Sequence, residues 1–460
     1  MDNKISLSTL LSVIAAGIMS FCGVVIETSM NITFPTLMKD FSVNTSTVQW
    51  MTTIYLLIVS IVVPLSAILN RSFKTKSLFV VGNLLFILGV VLDLCAPTFT
   101  ILLLGRVVQG LGTGIALPLM FNIILDRVPK AKIGVMMGVG NLITAIAPAV
   151  GPTFGGIVVS SIGWRYIFAI LLPILIISFF LGIFNIKQSR EIHRSHLDIW
   201  SLLLIVITFS GLVYGFSSMG SGSILSVKVI LPIIIGLIAV IALYKRSVSI
   251  EGPIINLGVL RNARFSGHVI AFFILQFITL GLSFILPNYI QLVNHQSAFI
   301  AGLMVLPGAA LGAVFAPLSG SLLDKYGAAK PIAAGLTFGI IGLILFMVLG
   351  THLSSVMILV IYLIYMLCLG LTFGNLMTSG LSTLAKETTT DGNAVFNTIQ
   401  QISGAISTSI VAAIVTISQL GTKNLAAGTA TGSEHGFILL FILLIIAALI
   451  LSRVLKSKKD

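Results

Sequence analysis

Charge is scarce in this chain. Asp, Glu, Lys and Arg together make up 8% of its 460 residues, against 57% for the AVILMFWYC set. No water-soluble fold needs that much apolar surface, so the composition excludes a soluble enzyme or binding domain and points to a polytopic membrane protein. Cysteine is also rare. Cys22, Cys95 and Cys368 sit in or at the ends of apolar segments, and an odd number without paired spacing argues against a disulfide framework or a metal site. The six histidines lie near segment ends or in loops and are assigned no chemistry. There is no Walker-type loop, Cys/His cluster or nucleophile elbow, so no cofactor and no metal is expected. Gly110-Leu-Gly-Thr-Gly114 looks superficially like a phosphate loop, but it lies mid-segment with no strand before it. The N-terminus lacks a basic region followed by a short apolar core and a cleavage site; it reads as an uncleaved first helix.

What the chain does have is a succession of apolar windows about 20 residues long. Fourteen candidate spans follow, among them 8–35, 77–96, 99–125, 133–160, 266–292, 355–383 and 393–418. The weakest break is Ala96-Pro97-Thr98, between the third and fourth. Basic residues outnumber acidic ones, 26 to 13, and their placement excludes a nucleic-acid partner. With the N-terminus inside, 21 of the 26 fall on one side, four on the other (Lys39, Arg165, Lys228, Lys423), and Arg106 lies within a span. This bias predicts a cell-membrane protein with both termini in the cytoplasm. Lys456, Lys458 and Lys459 then face anionic headgroups.

A repeat divides the spans. Pro64-Leu-Ser-Ala-Ile-Leu-Asn-Arg71 aligns, with one gap, to Pro317-Leu-Ser-Gly-Ser-Leu-Leu-Asp-Lys325. That pairs spans one to six with nine to fourteen and leaves seven and eight as an insertion. The predicted organisation is an all-α fold: a six-helix bundle over 1–190, an inserted helix pair over 191–250 and a second six-helix bundle over 251–460. Parallel six-helix halves are the layout of a rocking transporter.

Two ionisable residues lie well inside spans: Glu27 in the first and Arg106 in the fourth. Asp93 is close enough to the outer end of the third to be expected at the interface. An ionised side chain in the bilayer interior is costly and normally faces a cavity or a partner. Glu27 reads either as a proton site or as a fixed interhelical contact. Arg106 reads either as an anchor for buried carbonyls or as a fixed charge acting on a proton site. Asn31 follows Glu27 by four residues and Gln109 follows Arg106 by three, each on its neighbour's helix face. In span thirteen Asn393, Asn397, Gln400 and Gln401 form a polar stripe. Gln276, Asn288, Tyr289 and Gln291 in span nine, with Tyr362, Tyr365, Met366 and Asn375 in span twelve, complete a candidate cavity lining. Each could equally serve as an interhelical hydrogen-bonding group.

The most specific string is Ala147-Pro-Ala-Val-Gly-Pro-Thr-Phe-Gly-Gly156. Pro148, Gly151, Pro152, Gly155 and Gly156 share an arc of about 140° on one helix face. In a membrane that small-residue face lets a neighbouring helix approach closely. This string resembles the fifth-helix motif of antiporters in the major facilitator superfamily, and the whole chain resembles the fourteen-helix drug/proton antiporter branch. Glu27-Thr-Ser-Met-Asn31-Ile-Thr-Phe-Pro35 is similar to that branch's first-helix signature, with Glu in place of Asp. Gly105–Gly114 is similar to its fourth-helix motif, whose arginine is implicated in proton transfer; Trp164-Arg165-Tyr166-Ile167-Phe168 is similar to the segment after the fifth-helix motif. Trp50 and Tyr55 stand where its second helix carries them. The gating loop departs from the pattern at Asn70-Arg71, where the family has Asp-Arg, and its second copy, Asp324-Lys325, is better kept.

The resemblance implies a proton-coupled antiporter, not an enzyme, that exports amphiphilic or lipophilic small molecules by alternating access and confers antibiotic resistance. Its expected partners are a small-molecule substrate, protons and membrane lipids, with the chain acting as a monomer. Rival readings are a proton-coupled carrier of one metabolite or lipid, or an uncoupled facilitator. A membrane-embedded transferase would need clustered reactive side chains at one membrane face, and the sequence has none.

Overall fold

The computed structural model describes residues 5–129, 133–188, 192, 198–219, 225–250, 252–385 and 388–456. Most of the loop Lys187–Asp198 and of the turn Ser217–Ser223 therefore lies outside the described residues. The first helices are α1 (Leu7–Asp40), the single turn α2 (Thr45–Val48), α3 (Trp50–Ser72), α4 (Thr75–Leu94) and α5 (Phe99–Arg127). Then come α6 (Ile133–Ser161), α7 (Arg165–Asn185), α8 (Ile199–Ser218) and α9 (Val227–Ser247). After a short 3-10 turn at Leu257–Arg261 follow α10 (Ala263–Leu292), α11 (Ala298–Tyr326), α12 (Ala329–Leu349), α13 (Ser355–Leu381), α14 (Thr389–Leu420) and α15 (Leu425–Lys456). Among the described residues there is no strand.

Helix is what a lipid environment demands, because it satisfies every backbone N–H and C=O within the segment. Side chains cap the ends where that ladder runs out. Ser6, Thr98, Ser297 and Ser354 each accept a hydrogen bond from a first-turn backbone N–H. Among the described residues, twelve helices are long and apolar enough to cross a membrane, against the fourteen expected from the sequence. The other two long ones, α6 and α11, contribute shorter apolar stretches, Val150–Ser161 and Ala298–Gly312. The large apolar side chains left exposed, such as Leu237, Ile238 and Ile241 on α9, form the outward face.

The helices pack in two groups with one pattern. In the first, α4 packs on α5, α3 on α5, α1 on α6 and α7, and α4 on α7. The second repeats each pairing: α12 on α13, α11 on α13, α10 on α14 and α15, and α12 on α15. The groups meet where α6 packs on α11, α3 on α14 and α1 on α10. The pair α8–α9 packs on itself and touches α3 and α14 through α8. Trp50 meets Tyr214 of α8 there, with ring centroids 6.3 Å apart. Arg246 closes the base of this pair on Asp198 at 2.6 and 2.7 Å. That guanidinium, with Ser201, holds the Asp198 carboxyl well below the usual carboxylate range.

Hydrogen bonds between the two groups share one location. Asn31 donates to Ser283 (3.1 Å), Gln291 to the Ile32 carbonyl (3.0 Å) and Thr153 to the Gly302 carbonyl (3.3 Å). The Phe299 N–H donates to Ser160 (2.8 Å), Thr45 to Gln419 (2.7 Å), and Thr53 meets Thr408 at 2.9 Å. All lie toward the end of the bundle remote from the chain termini. Among the described residues that end is closed.

Candidate functional site: a buried arginine between two carboxylates

Arg106 is fully buried on α5. Its Nε donates to the Met51 carbonyl (2.9 Å) and its Nη1 to Gln109 Oε1 (2.6 Å). The guanidinium carbon lies 4.2 Å from the centre of the Tyr55 ring, a cation–π contact in a desolvated setting. Tyr55 is itself fixed, donating to the Gly23 carbonyl on α1 (3.0 Å) and to Thr113 (2.9 Å). Glu27 stands one helical turn beyond Gly23, within electrostatic reach of Tyr55 and Arg106. It is part-exposed and makes no hydrogen bond to a described residue.

On the other side of Arg106, Gln109 Nε2 donates to Asp93 Oδ2 at 2.7 Å. Arginine can only donate and an ionised carboxylate can only accept, so the orientation of the Gln109 amide between them is forced. Asp93, expected at the interface from its place near a helix end, is fully buried within the protein. The reason is cover: α5 crosses α4 at Gly105, where a Cβ would collide with Asp93 Oδ1. Gly89 and Gly112 continue the close approach further along the same two helices, since a Cβ at either would meet backbone atoms at 2.6 Å.

The small-residue face of α6 lies between α1 and α11. Ser29 donates to the Gly151 carbonyl (2.7 Å), and a Cβ on Gly151 would collide with Thr28. A Cβ on Gly155 would sit 2.9 Å from the Ser29 carbonyl, and one on Gly156 2.5 Å from the Ala298 carbonyl. Pro152 is buried against Gly302 of α11. The face thus joins the two groups at their closed end. The Pro148 side chain lies outside the described residues, as do those of Arg71 and Asp324. Asn70 is buried with its Oδ1 unpartnered among the described residues, beside a cavity lined by Ser66, Leu78 and Asn122. Lys325 is exposed and lies over Tyr326 at 5.2 Å.

The candidate cavity lining separates into two kinds. Asn393, Asn397, Gln400 and Gln401 are part-exposed on α14, with amides that bond to no described residue. Gln276 is nearly buried and likewise makes no hydrogen bond to a described residue. The rest are committed to packing. Asn31 accepts from Thr52 (2.8 Å) besides bonding Ser283; Asn288 donates to the Phe284 carbonyl (2.7 Å). Tyr289 accepts from the Leu353 N–H (3.2 Å), Tyr365 pairs with Thr279 (3.1 Å) and Asn375 donates to Ser319 (2.6 Å). Tyr362 is stacked on Tyr365, and Met366 is buried against α11 at Gly312. The hydroxyl seam of Thr53, Thr408, Ser409 and Ser217 was not singled out from sequence. Its signal is the run Ser403, Ser407, Thr408, Ser409, small polar residues in an apolar span.

A closed bundle of two like-paired helix groups, with a charge buried between helices and a small-residue face joining the groups, is the build of an alternating-access carrier. The family model of the Major Facilitator Superfamily matches residues 15–408, so the chain belongs to that superfamily of membrane transporters. It is a multi-pass membrane transporter of a small-molecule solute and not an enzyme. Its sequence is 36% identical over 449 residues to the lincomycin resistance protein LmrB of Bacillus subtilis (strain 168), covering 95% of this chain and 93% of that protein. It is 28% identical to a multidrug resistance protein B homolog of Mycobacterium tuberculosis, over 83% of this chain and 71% of that one. In fold it is similar to a bacterial homolog of the human lysosomal transporter Spinster, crystallised inward-facing and unoccupied. The TM-score is 0.69, with 98% of this chain and 97% of that one covered, at 14% identity.

Proposed function

We propose that this chain is a proton-coupled antiporter that exports amphiphilic or lipophilic drugs, lincosamides among them, across the cytoplasmic membrane. Relatives named for lincomycin and multidrug resistance support the substrate class. The placement of Glu27 carries the coupling. It is a carboxylate on a membrane helix, part-exposed and free of hydrogen bonds to described residues, within electrostatic reach of a guanidinium that is fixed and fully buried. Such a group can take up a proton from one side and give it up on the other as its surroundings change. The unpartnered amides of α14 and Gln276 supply adaptable hydrogen-bonding groups for the substrate. In this reading the chain crosses the membrane fourteen times, 1–190 and 251–460 are the moving halves, 191–250 is the inserted pair, and both termini are cytoplasmic. The closed end then faces outward, and substrate loads from the cytoplasmic side.

The test uses membrane vesicles carrying the transporter under an imposed pH gradient. Glu27→Gln keeps the shape and the hydrogen-bonding capacity but cannot titrate. It is expected to abolish gradient-driven drug export while leaving drug binding to the purified protein close to that of wild type. Full gradient-driven export by this variant would remove Glu27 from the mechanism and favour an uncoupled facilitator.

A further inference from the structure

We propose that Asp93 is a second proton-binding carboxylate of the transport cycle, set against Glu27 through the single guanidinium of Arg106. The proposal rests on the reading of Glu27 as a proton site. Asp93 and Arg106 are both fully buried, and each keeps one polar atom, Asp93 Oδ1 and Arg106 Nη2, without a partner among the described residues. Of the buried side chains with an unpartnered polar atom among the described residues, Asp93 and Arg106 are the two ionisable ones, and an unfilled atom on a buried ionisable group calls for an explanation.

Charge balance supplies that reason. One guanidinium can neutralise one carboxylate. Were Glu27 and Asp93 both ionised, the site would hold an uncompensated negative charge away from bulk water, which is strongly unfavourable. One proton therefore resides on one of the two. When Glu27 is ionised, the proton is bonded to a carboxylate oxygen of Asp93; when Glu27 takes a proton, Asp93 releases its own and becomes the counter-ion of Arg106 through Gln109. The arginine keeps its charge throughout and passes no proton itself.

The two carboxylates reach the arginine from different helices, Asp93 through Gln109 and Glu27 by charge alone. Asp93 is one residue from the last residue of α4, toward the closed end, and Glu27 is on α1, one turn from the Gly23 carbonyl that Tyr55 bonds. The charged and titratable groups acting on Asp93 are Arg106 and, beyond it, Tyr55 and Glu27. From α7, Arg165 spends its guanidinium on the Ala96 carbonyl (2.8 Å) and the Trp164 ring.

Infrared difference spectroscopy on purified, detergent-solubilised protein labelled with 13C-aspartate reads this directly. Wild type is expected to show a protonated aspartic acid carbonyl band near neutral pH. Asp93→Asn, which can still accept from Gln109, should remove that band. It should also shift the pH of half-maximal vesicle export downward by about one unit, a tenfold change in proton concentration, because Arg106 then serves Glu27 alone. Glu27→Gln should extinguish the band as well, since Asp93 would become the only counter-ion. No protonated aspartate band in wild type, or a band indifferent to Glu27→Gln, overturns the proposal without need of the Asp93 variant. Loss of folded Asp93→Asn protein with the wild-type band absent would mark Asp93 as a packing group. Full export by Glu27→Gln would defeat the reading of Glu27 instead, and is measured separately.

Discussion

The two helix groups share one set of pairings yet bury different chemistry. The first holds Arg106 and Asp93 at zero exposure, with Glu27 beside them. The second buries no Asp, Glu, Lys or Arg among its described residues. In their place it has aromatic stacks: Phe272 on Phe373 with centroids at 4.4 Å, Phe346 on Phe437 at 4.9 Å, and Tyr362 on Tyr365 at 6.5 Å. The free amides lie on the second group as well. One scaffold, used twice, can therefore carry two tasks. A buried charge needs fixed donors and close backbones, which the glycines of α5 provide; a surface for varied drugs needs adaptable neutral groups. In the proposed antiporter, this separation leaves the proton chemistry independent of what is being carried.

Breaking the charged group should have the largest effect. Arg106→Lys keeps the charge but loses the Nε bond to Met51, the aligned donor to Gln109 and the flat contact with Tyr55. Two charge-assisted hydrogen bonds are worth a few kcal/mol, so gradient-driven export should fall on the order of 100-fold with near-normal protein levels. Vesicle efflux assays read this, and wild-type export would mean that the guanidinium is dispensable. A smaller effect is expected in the second group. Asn397→Leu with Gln400→Leu should change relative export of polar and apolar drugs by roughly fivefold, the worth of about one hydrogen bond. The pH profile of export should stay where it is. A moved profile would show that the two tasks are not separate.

The smallest effect lies outside both groups. Arg246→Ala removes the ion pair with Asp198 at the base of the inserted hairpin. Because the pair lowers the folded-state pKa of Asp198, its contribution is present above the ordinary carboxylate range, about pH 4, and is lost as pH falls through the folded value. The variant should melt slightly earlier than wild type at neutral pH. The difference should fade in acid, as measured by thermal unfolding of the solubilised protein.

Much of this was legible in the sequence because membranes impose simple rules. Apolar runs marked the helices, and the small residues of 147–156 marked the face that meets α1 and α11. Arg106 stood out as a charge inside a span. What was not legible was burial by a neighbouring helix. Asp93 lies next to the end of α4, and its burial depends on Gly105 of another helix lacking a Cβ. Such a contact has no signature in either segment alone. Trp50 shows the same limit: its packing on Tyr214 of the inserted pair has no signature in α3 alone. Tyr289, Tyr365 and Asn375, polar residues at helical spacing, bond to groups outside their own helices, since a polar group within a span finds a partner wherever one is within reach.

The seam that closes the far end is built from hydroxyls, amides and backbone carbonyls, with no ion pair among the described residues that form it. Salt screens charges and leaves neutral hydrogen bonds almost untouched. When the seam parts, each of its groups can exchange a protein partner for water at little net change, about 1 kcal/mol per bond. The opening step should therefore proceed at the same rate in dilute and in concentrated electrolyte, and a cell under osmotic stress would keep this gate working as ionic strength rises around it.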